Sequence, residues 1–447
     1  MSFPLARRPG FWRQVWLLFH RWAGLIAAPF LLVTGLTGAV IFWDHELDEA
    51  LNPHLTQAAG AGPAIPSLEL ARRIEESHPE IRVTFVPFHA KAGESLAFGV
   101  QPRLNPETGR LYEPGFNQVF VDPRRGEELG WREWGAVWPI TRETLVSFLY
   151  KLHFSLHFPE MGGTDRWGVW LLGGIALLWT LDCFVSLLLT LPAPRRSGAK
   201  TQAAESDEAG RRGFWSRWSR AWKIRRGQGT YKLNYDIHRA FGLWTWILLL
   251  VVAFTAFSLN LRREVFLPML STFSQVTPSP FDQRRPQPRH QPMVPGIGFA
   301  EVVERAREIA ARNGWEEPVG SVFHAQHFGI YGVQFFDAEA DHGVAGAGHR
   351  RLYLDAADGR LLGSKQPWQG SVADLFVQAQ FPLHSGRILG VPGRIAISLM
   401  GVVVALLSGG GIYLWFKKRS SRKRSEARRM EDGRGADDAL EPQAGRQ

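Results

Sequence analysis

The sequence predicts a membrane α-helical protein: a four-transmembrane-helix bundle made by duplicating a two-helix unit, with two small α+β modules outside the bilayer. Three observations predict it. Four apolar runs, 16–43, 167–191, 237–261 and 391–416, are long enough to cross a bilayer, which takes about 20 helical residues. Lys and Arg gather at one end of every run. The string His-Arg-x-x-Gly-Leu occurs twice, at His20-Arg21-Trp22-Ala23-Gly24-Leu25 and His238-Arg239-Ala240-Phe241-Gly242-Leu243, opening the first and third runs.

Composition bounds the class. The chain has 447 residues, 45% hydrophobic and 12% aromatic, with 18 Trp and 29 Phe. A mean hydropathy of −0.14 is too polar for a protein lying wholly in the membrane. The first run is too long for a cleavable signal, and no small-x-small site follows it. The basic clusters set orientation. Residues 1–15 carry Arg7, Arg8 and Arg13, residues 192–236 carry eleven Lys and Arg, and residues 417–447 open on Lys417, Lys418 and Arg419. By the positive-inside rule all three are cytoplasmic, with both termini inside. Segments 44–166 and 262–390 then face the periplasm of a Gram-negative cell, and the membrane is the inner one. The net charge of +10 sits at helix ends rather than on a folded surface, which argues against nucleic acid. Cys183 is the only cysteine, so neither an intrachain disulfide nor a thioether-bound haem is possible.

The elements follow in order. After the first run, 67–78 reads as an amphipathic helix with Ser67 as its cap, and 81–86 and 96–100 read as strands. Val119 to Gly130 reads as a hairpin whose turn holds Asp122 and Gly126, which closes the module 44–140. Segment 141–166 reads as a periplasmic helix carrying Leu152-His153 and His157 just before the second run. The second half repeats this plan: helix 298–313, strands 319–323 and 331–336, a hairpin from Leu352 to Gly363 with Asp355 and Gly359, then Leu383-His384 before the fourth run. The stretches 192–211 and 277–295 read as linkers, the second Pro-rich and extended. The tail from Arg419 reads as disordered.

The histidines carry the chemistry. An ionisable ring in a membrane helix needs a partner, and two rings in matched positions are most economically two ligands of one metal-bearing cofactor. Gly24 and Gly242 lie one helical turn from His20 and His238 and leave room for a flat macrocycle. Arg21 and Arg239 suit haem propionates or act as positive-inside anchors. His153, His157 and His384 form a second set, by the symmetry of the repeat a second haem; at i, i+4, His153 and His157 would share a helix face. Zinc is the rival reading there, but His-Glu-x-x-His is absent. His45 reads as a helix-end residue beside that site. Asp182, inside the second run, reads as a proton path or a hydrogen-bond hub, and Cys183 as packing. His290, His324, His327, His342 and His349 are single residues and carry no assignment. The tryptophans at helix ends read as an aromatic belt.

Five stretches together resemble the PepSY-associated transmembrane proteins: Phe19 to Leu25, Asp44-His45-Glu46-Leu47-Asp48, Leu152-His153-Phe154-Ser155-Leu156-His157, Leu181-Asp182-Cys183-Phe184, and Leu233 to Trp244. The resemblance covers the chain apart from its tail. It implies two periplasmic PepSY-like modules, two b-type haems and a periplasmic ferric-siderophore reductase. On this reading an inner haem lies between His20 and His238, and an outer haem between His384 and His153 or His157. At about 1.5 Å per residue, the run from His20 to Trp43 is about 35 Å of helix, so an electron needs the second haem to reach a periplasmic acceptor. No Gly-x-Gly-x-x-Gly stands between a strand and a helix, so the donor is a quinol or a separate protein. The alternative is a non-enzymatic sensor or inhibitor whose modules bind a periplasmic peptide or partner protein.

Overall fold

The computed structural model describes residues 10–193, 213–288, 290–337 and 343–438. Arg7, Arg8, most of the linker 192–211 and His342 lie outside the described residues. The chain forms two compact units: Met1–Leu36 with Gly174–Phe257 and Leu399–Gln447, and Thr37–Gly173 with Ser258–Ser398.

The first unit is helical. Its long elements are α1 (Phe11–Ile41), α6 (Trp167–Thr190) and α13 (Gly390–Asp438). Each contains a stretch long and apolar enough to span a membrane. The third predicted run is not one straight helix. It breaks into α8 (Thr230–Trp244) and α9 (Trp246–Asn260), bent by 73°. The break lies at Thr245, whose backbone leaves the helical conformation at φ −107°, ψ 10°, while its hydroxyl donates to the Phe241 carbonyl at 2.7 Å. The Trp246 indole then donates to the Cys183 carbonyl at 2.8 Å and holds the turn. Cys183, Leu249, Ala253, Met400 and Val404 make the apolar core. Gly35 lets α1 approach the last helix closely: a Cβ there would lie 2.7 Å from the Gly401 carbonyl oxygen. The segment after Arg419 continues as helix to residue 438 rather than as a disordered tail; its Lys, Arg, Glu and Ala are good helix formers.

The second unit holds a sheet. The short helices α2 (Asp44–Leu51) and α3 (Pro53–Thr56) lead into α4 (Ser67–Ser77) and strands β1 (Ile81–Pro87), β2 (Leu96–Pro102), β3 (Gln118–Val121) and β4 (Glu128–Arg132). Then comes α5 (Arg142–Ser155). Past α7 (Phe214–Trp218) and α10 (Leu267–Ser271), the later half supplies α11 (Phe299–Arg312), β5 (Val319–Ala325), β6 (Ile330–Phe335), β7 (Arg350–Asp355), β8 (Leu361–Lys365) and α12 (Val372–Ser385). The sequence predicts a small module in each half. The strands of both halves form one antiparallel sheet of eight, in the order β4-β3-β2-β1-β5-β6-β7-β8. The seam is the β1–β5 pair, with Phe85 opposite Phe323. Gly99 faces Phe85 and Gly332 faces Phe323, so a Gly-Phe-Phe-Gly row crosses the seam. One apolar core unites Leu70 and Ile74 of α4, Val302 and Ala306 of α11, and the sheet residues Val83, Phe98, Val322 and Tyr331.

Matched local chemistry recurs in both halves. Asp122 accepts from the backbone of Arg124 and Arg125, Asp355 from that of Ala357, and each turn closes on a glycine at φ 71°, Gly126 and Gly359. A capping box opens both α5 (Thr141 with Thr144) and α12 (Ser371 with Asp374). The described residues of the Pro-rich stretch 277–295 include turns, as at Ser279–Asp282, and are pinned to the sheet unit: Arg284 bonds the Phe328 carbonyl at 3.0 Å and Asp355 at 2.5 Å, and Thr277 bonds Asp374.

Candidate functional site

Each unit brings one pair of histidines together. In the first, His20 of α1 and His238 of α8 have ring centres 6.3 Å apart and planes inclined at 58°. His20 Nδ1 lies 3.0 and 2.9 Å from the two carboxylate oxygens of Asp182 on α6. His238 Nδ1 lies 3.1 Å from the Leu407 carbonyl oxygen on α13. A carboxylate and a carbonyl only accept, so both Nδ1 atoms carry the proton, and Nε2 of each ring is left as a lone-pair donor. Gly24 and Gly242 each face open space: an added Cβ would meet no atom within 4 Å. A Cβ on Gly411 would rest 3.6 Å from His238 Cε1.

The two arginines differ. Each has a buried Nε without a hydrogen-bond partner, but the Arg21 guanidinium lies against the Trp22 ring. Arg239 is committed to the fully buried Asp236 at 2.9 Å and to the Arg220 carbonyl, and Arg225 holds the same carboxylate at 2.7 Å.

In the second unit, His153 of α5 and His384 of α12 have ring centres 6.2 Å apart and planes inclined at 51°. Thr37 Oγ1 is 3.1 Å from His153 Nδ1. Gly38 is obligatory beside it: a Cβ there would lie 2.9 Å from His153 Cε1. Phe42 stands edge-on to His384 at 6.4 Å.

His157 does not join this pair. The helix ends at Ser155, and both Leu156 and His157 take φ 53°, so the i, i+4 face shared with His153 does not exist. The His157 ring stacks on Phe148 at 4.5 Å, and its Nε2 is bonded to the Phe148 carbonyl at 2.9 Å. Burial holds its pKa below the usual histidine value. His45 lies on α2, between two ion-paired carboxylates in sequence. Its neighbour Asp44 meets Arg387 at 3.4 Å, and Glu46 meets Arg394 at 2.7 Å. The Arg394 guanidinium, stacked 4.2 Å over Trp43, brings the Glu46 carboxyl down to about 2.

Among the described residues no group of three or more His, Cys, Asp or Glu side chains could hold a metal ion. What the chain brings together, twice, is a pair of imidazoles with ring centres 6.3 and 6.2 Å apart. Sequence reasoning missed four parts of the surroundings: Asp182 as the partner of His20, the Leu407 carbonyl, Thr37 and Gly38. The Thr37-Gly38 dipeptide and the Gly409-Gly410-Gly411 run were visible as gaps in apolar helices, but only the fold says which ring each one faces.

No curated protein matches the sequence. A family model described as the PepSY-associated TM region matches residues 17–418, a span that contains both histidine pairs and the whole sheet. The protein is a membrane protein with several apolar helices, and it belongs to the PepSY-associated TM region family.

Proposed function

We propose that the protein is a di-haem oxidoreductase of the bacterial inner membrane, passing electrons outward to reduce ferric siderophores or other ferric chelates in the periplasm. The observation that carries this reading is the separation repeated in both pairs, 6.3 and 6.2 Å between ring centres. That spacing would let one metal ion be held by a nitrogen of each imidazole. The fit extends outward. Nδ1 of His20 and of His238 each has an acceptor, as ligating imidazoles almost always do. Gly24 and Gly242 keep the faces beside their ligands clear, and Arg21, which is not committed to Asp236 as Arg239 is, suits a propionate. Arg239, bound to Asp236, reads better as a positive-inside anchor. The ligands are therefore His20 with His238 and His153 with His384, and the cofactor is haem b, two per chain, because no cysteine is placed for a thioether.

A haem in such a site supplies a one-electron couple. His20 with His238, and His153 with His384, would each hold one such group between two imidazoles, and the couple would pass one electron to the acceptor. One electron converts ferric to ferrous iron, which a siderophore binds more weakly. The donor is a quinol or a separate protein. The Arg and Lys bias supports cytoplasmic termini. The matched turns, caps and Gly-Phe pairs support a two-helix duplication with a PepSY-like module in each half.

The test is an absorption spectrum of the purified protein, with haem counted per chain. A Soret band and two haems are expected. His20→Ala and His238→Ala should each remove the same half, and the double variant no more. A colourless preparation would refute the reading and favour a sensor or inhibitor instead.

A further inference from the structure

We infer that Asp182 sets the reduction potential of the His20–His238 site, holding it below the value that the two imidazoles alone would give. The inference rests on the haem reading above. Its observation is the contrast between the acceptors of three imidazole Nδ1 atoms. His238 meets a backbone carbonyl at 3.1 Å and His153 a hydroxyl at 3.1 Å. Both contacts orient a ring without adding charge. His20 meets a carboxylate through both oxygens, at 3.0 and 2.9 Å. Orientation alone does not need that charge.

The charge is also costly. Asp182 stands in the middle of the apolar helix α6 with its side chain 11% exposed. A carboxylate buried there carries a desolvation penalty. Low surrounding polarity magnifies its effect on any charge nearby. Two effects act in one direction. The negative charge favours the more positive, oxidised form of the couple. The strong acceptor on Nδ1 raises the basicity of Nε2, which again favours the oxidised metal. Only an electron is gained or lost; no atom moves. The site gives up its electron more readily as a result, which suits the supply of a hard-to-reduce ferric chelate.

The test is a potentiometric titration followed in the visible haem bands, in a His384→Ala background that retains only the inner haem. Asp182→Asn should shift the equilibrium toward the reduced form at least tenfold, which for one electron is 59 mV upward. Asp182→Glu, which keeps the charge, should stay near the native potential. If Asp182→Asn takes up no inner haem, Asp182→Thr, whose hydroxyl copies the contact at His153, replaces it with the same expected rise. A haem-loaded neutral variant at the native potential, or a Glu variant raised as far as the neutral one, overturns the inference and leaves the haem reading intact. An unmodified protein that binds no haem overturns both.

Discussion

Gly38 decides whether the outer pair can form. A Cβ on it would lie 2.9 Å from His153 Cε1, and the ring it would strike must also keep its place beside Thr37 and His384. Overpacking of this kind forces a side chain off its rotamer. Gly38→Ala should therefore lower haem content from two per chain toward one. The remaining haem should be the one lost in His238→Ala, as a haem count on the double variant will reveal. The sequence marks the four paired histidines through their matched positions, because a ligand must be a particular residue type. It does not mark Gly38 or Thr37 as strongly, since small residues in membrane helices serve packing far more often. Nor does it separate His153 from His157. That distinction rests on where α5 stops, and the φ 53° backbone at Leu156 and His157 has no warning in residue types that usually avoid it.

The strands carry two further consequences. Gly332 faces Phe323 across β5 and β6, and a Cβ there would lie 2.3 Å from the ring. Gly332→Ala should destabilise the sheet by about 1–3 kcal/mol, seen as a lower denaturation midpoint with little change in the haem spectrum. His324 of β5 stacks on Tyr331 at 4.6 Å, deep in the second unit. Burial, and after it the charge of Arg82, push its imidazole from 6.5 down to about 4. The folded form thus resists a proton that the unfolded chain accepts. Stability is intact above pH 6.5 and declines as pH falls from there toward 4. Melting temperatures at about pH 7.5 and about pH 5 should differ less in His324→Phe than in the native chain. Helix and strand positions in the sheet were readable from periodicity and turn residues, Asp122 and Gly126 against Asp355 and Gly359. The fusion of both halves into one sheet was not, because pairing β1 with β5 is a long-range choice that local patterns do not encode. The 73° break at Thr245 escaped for the opposite reason: a single non-helical residue leaves no mark in the composition of a continuous apolar run.

For the whole chain, the proposed function has a direction. The Arg and Lys bias predicts that the sheet lies outside the cytoplasm, so reporter fusions after Gly60 and after Pro288 should give periplasmic activity; a cytoplasmic signal at either would undo the proposed electron path. The first apolar run is about 35 Å long between His20 and Trp43 at about 1.5 Å per residue, which makes His20 and His238 unable to serve a periplasmic acceptor by themselves. On the proposed function, delivery falls to His153 and His384, the pair that shares a unit with the sheet. His384→Ala should leave the inner haem bound and reducible by its own donor, yet no longer reoxidised on addition of a ferric siderophore. Stopped-flow absorbance of the pre-reduced variant separates the cases. Reoxidation at the native rate would mean that electrons leave the inner haem by another route, and the second histidine pair would lose its role as the exit.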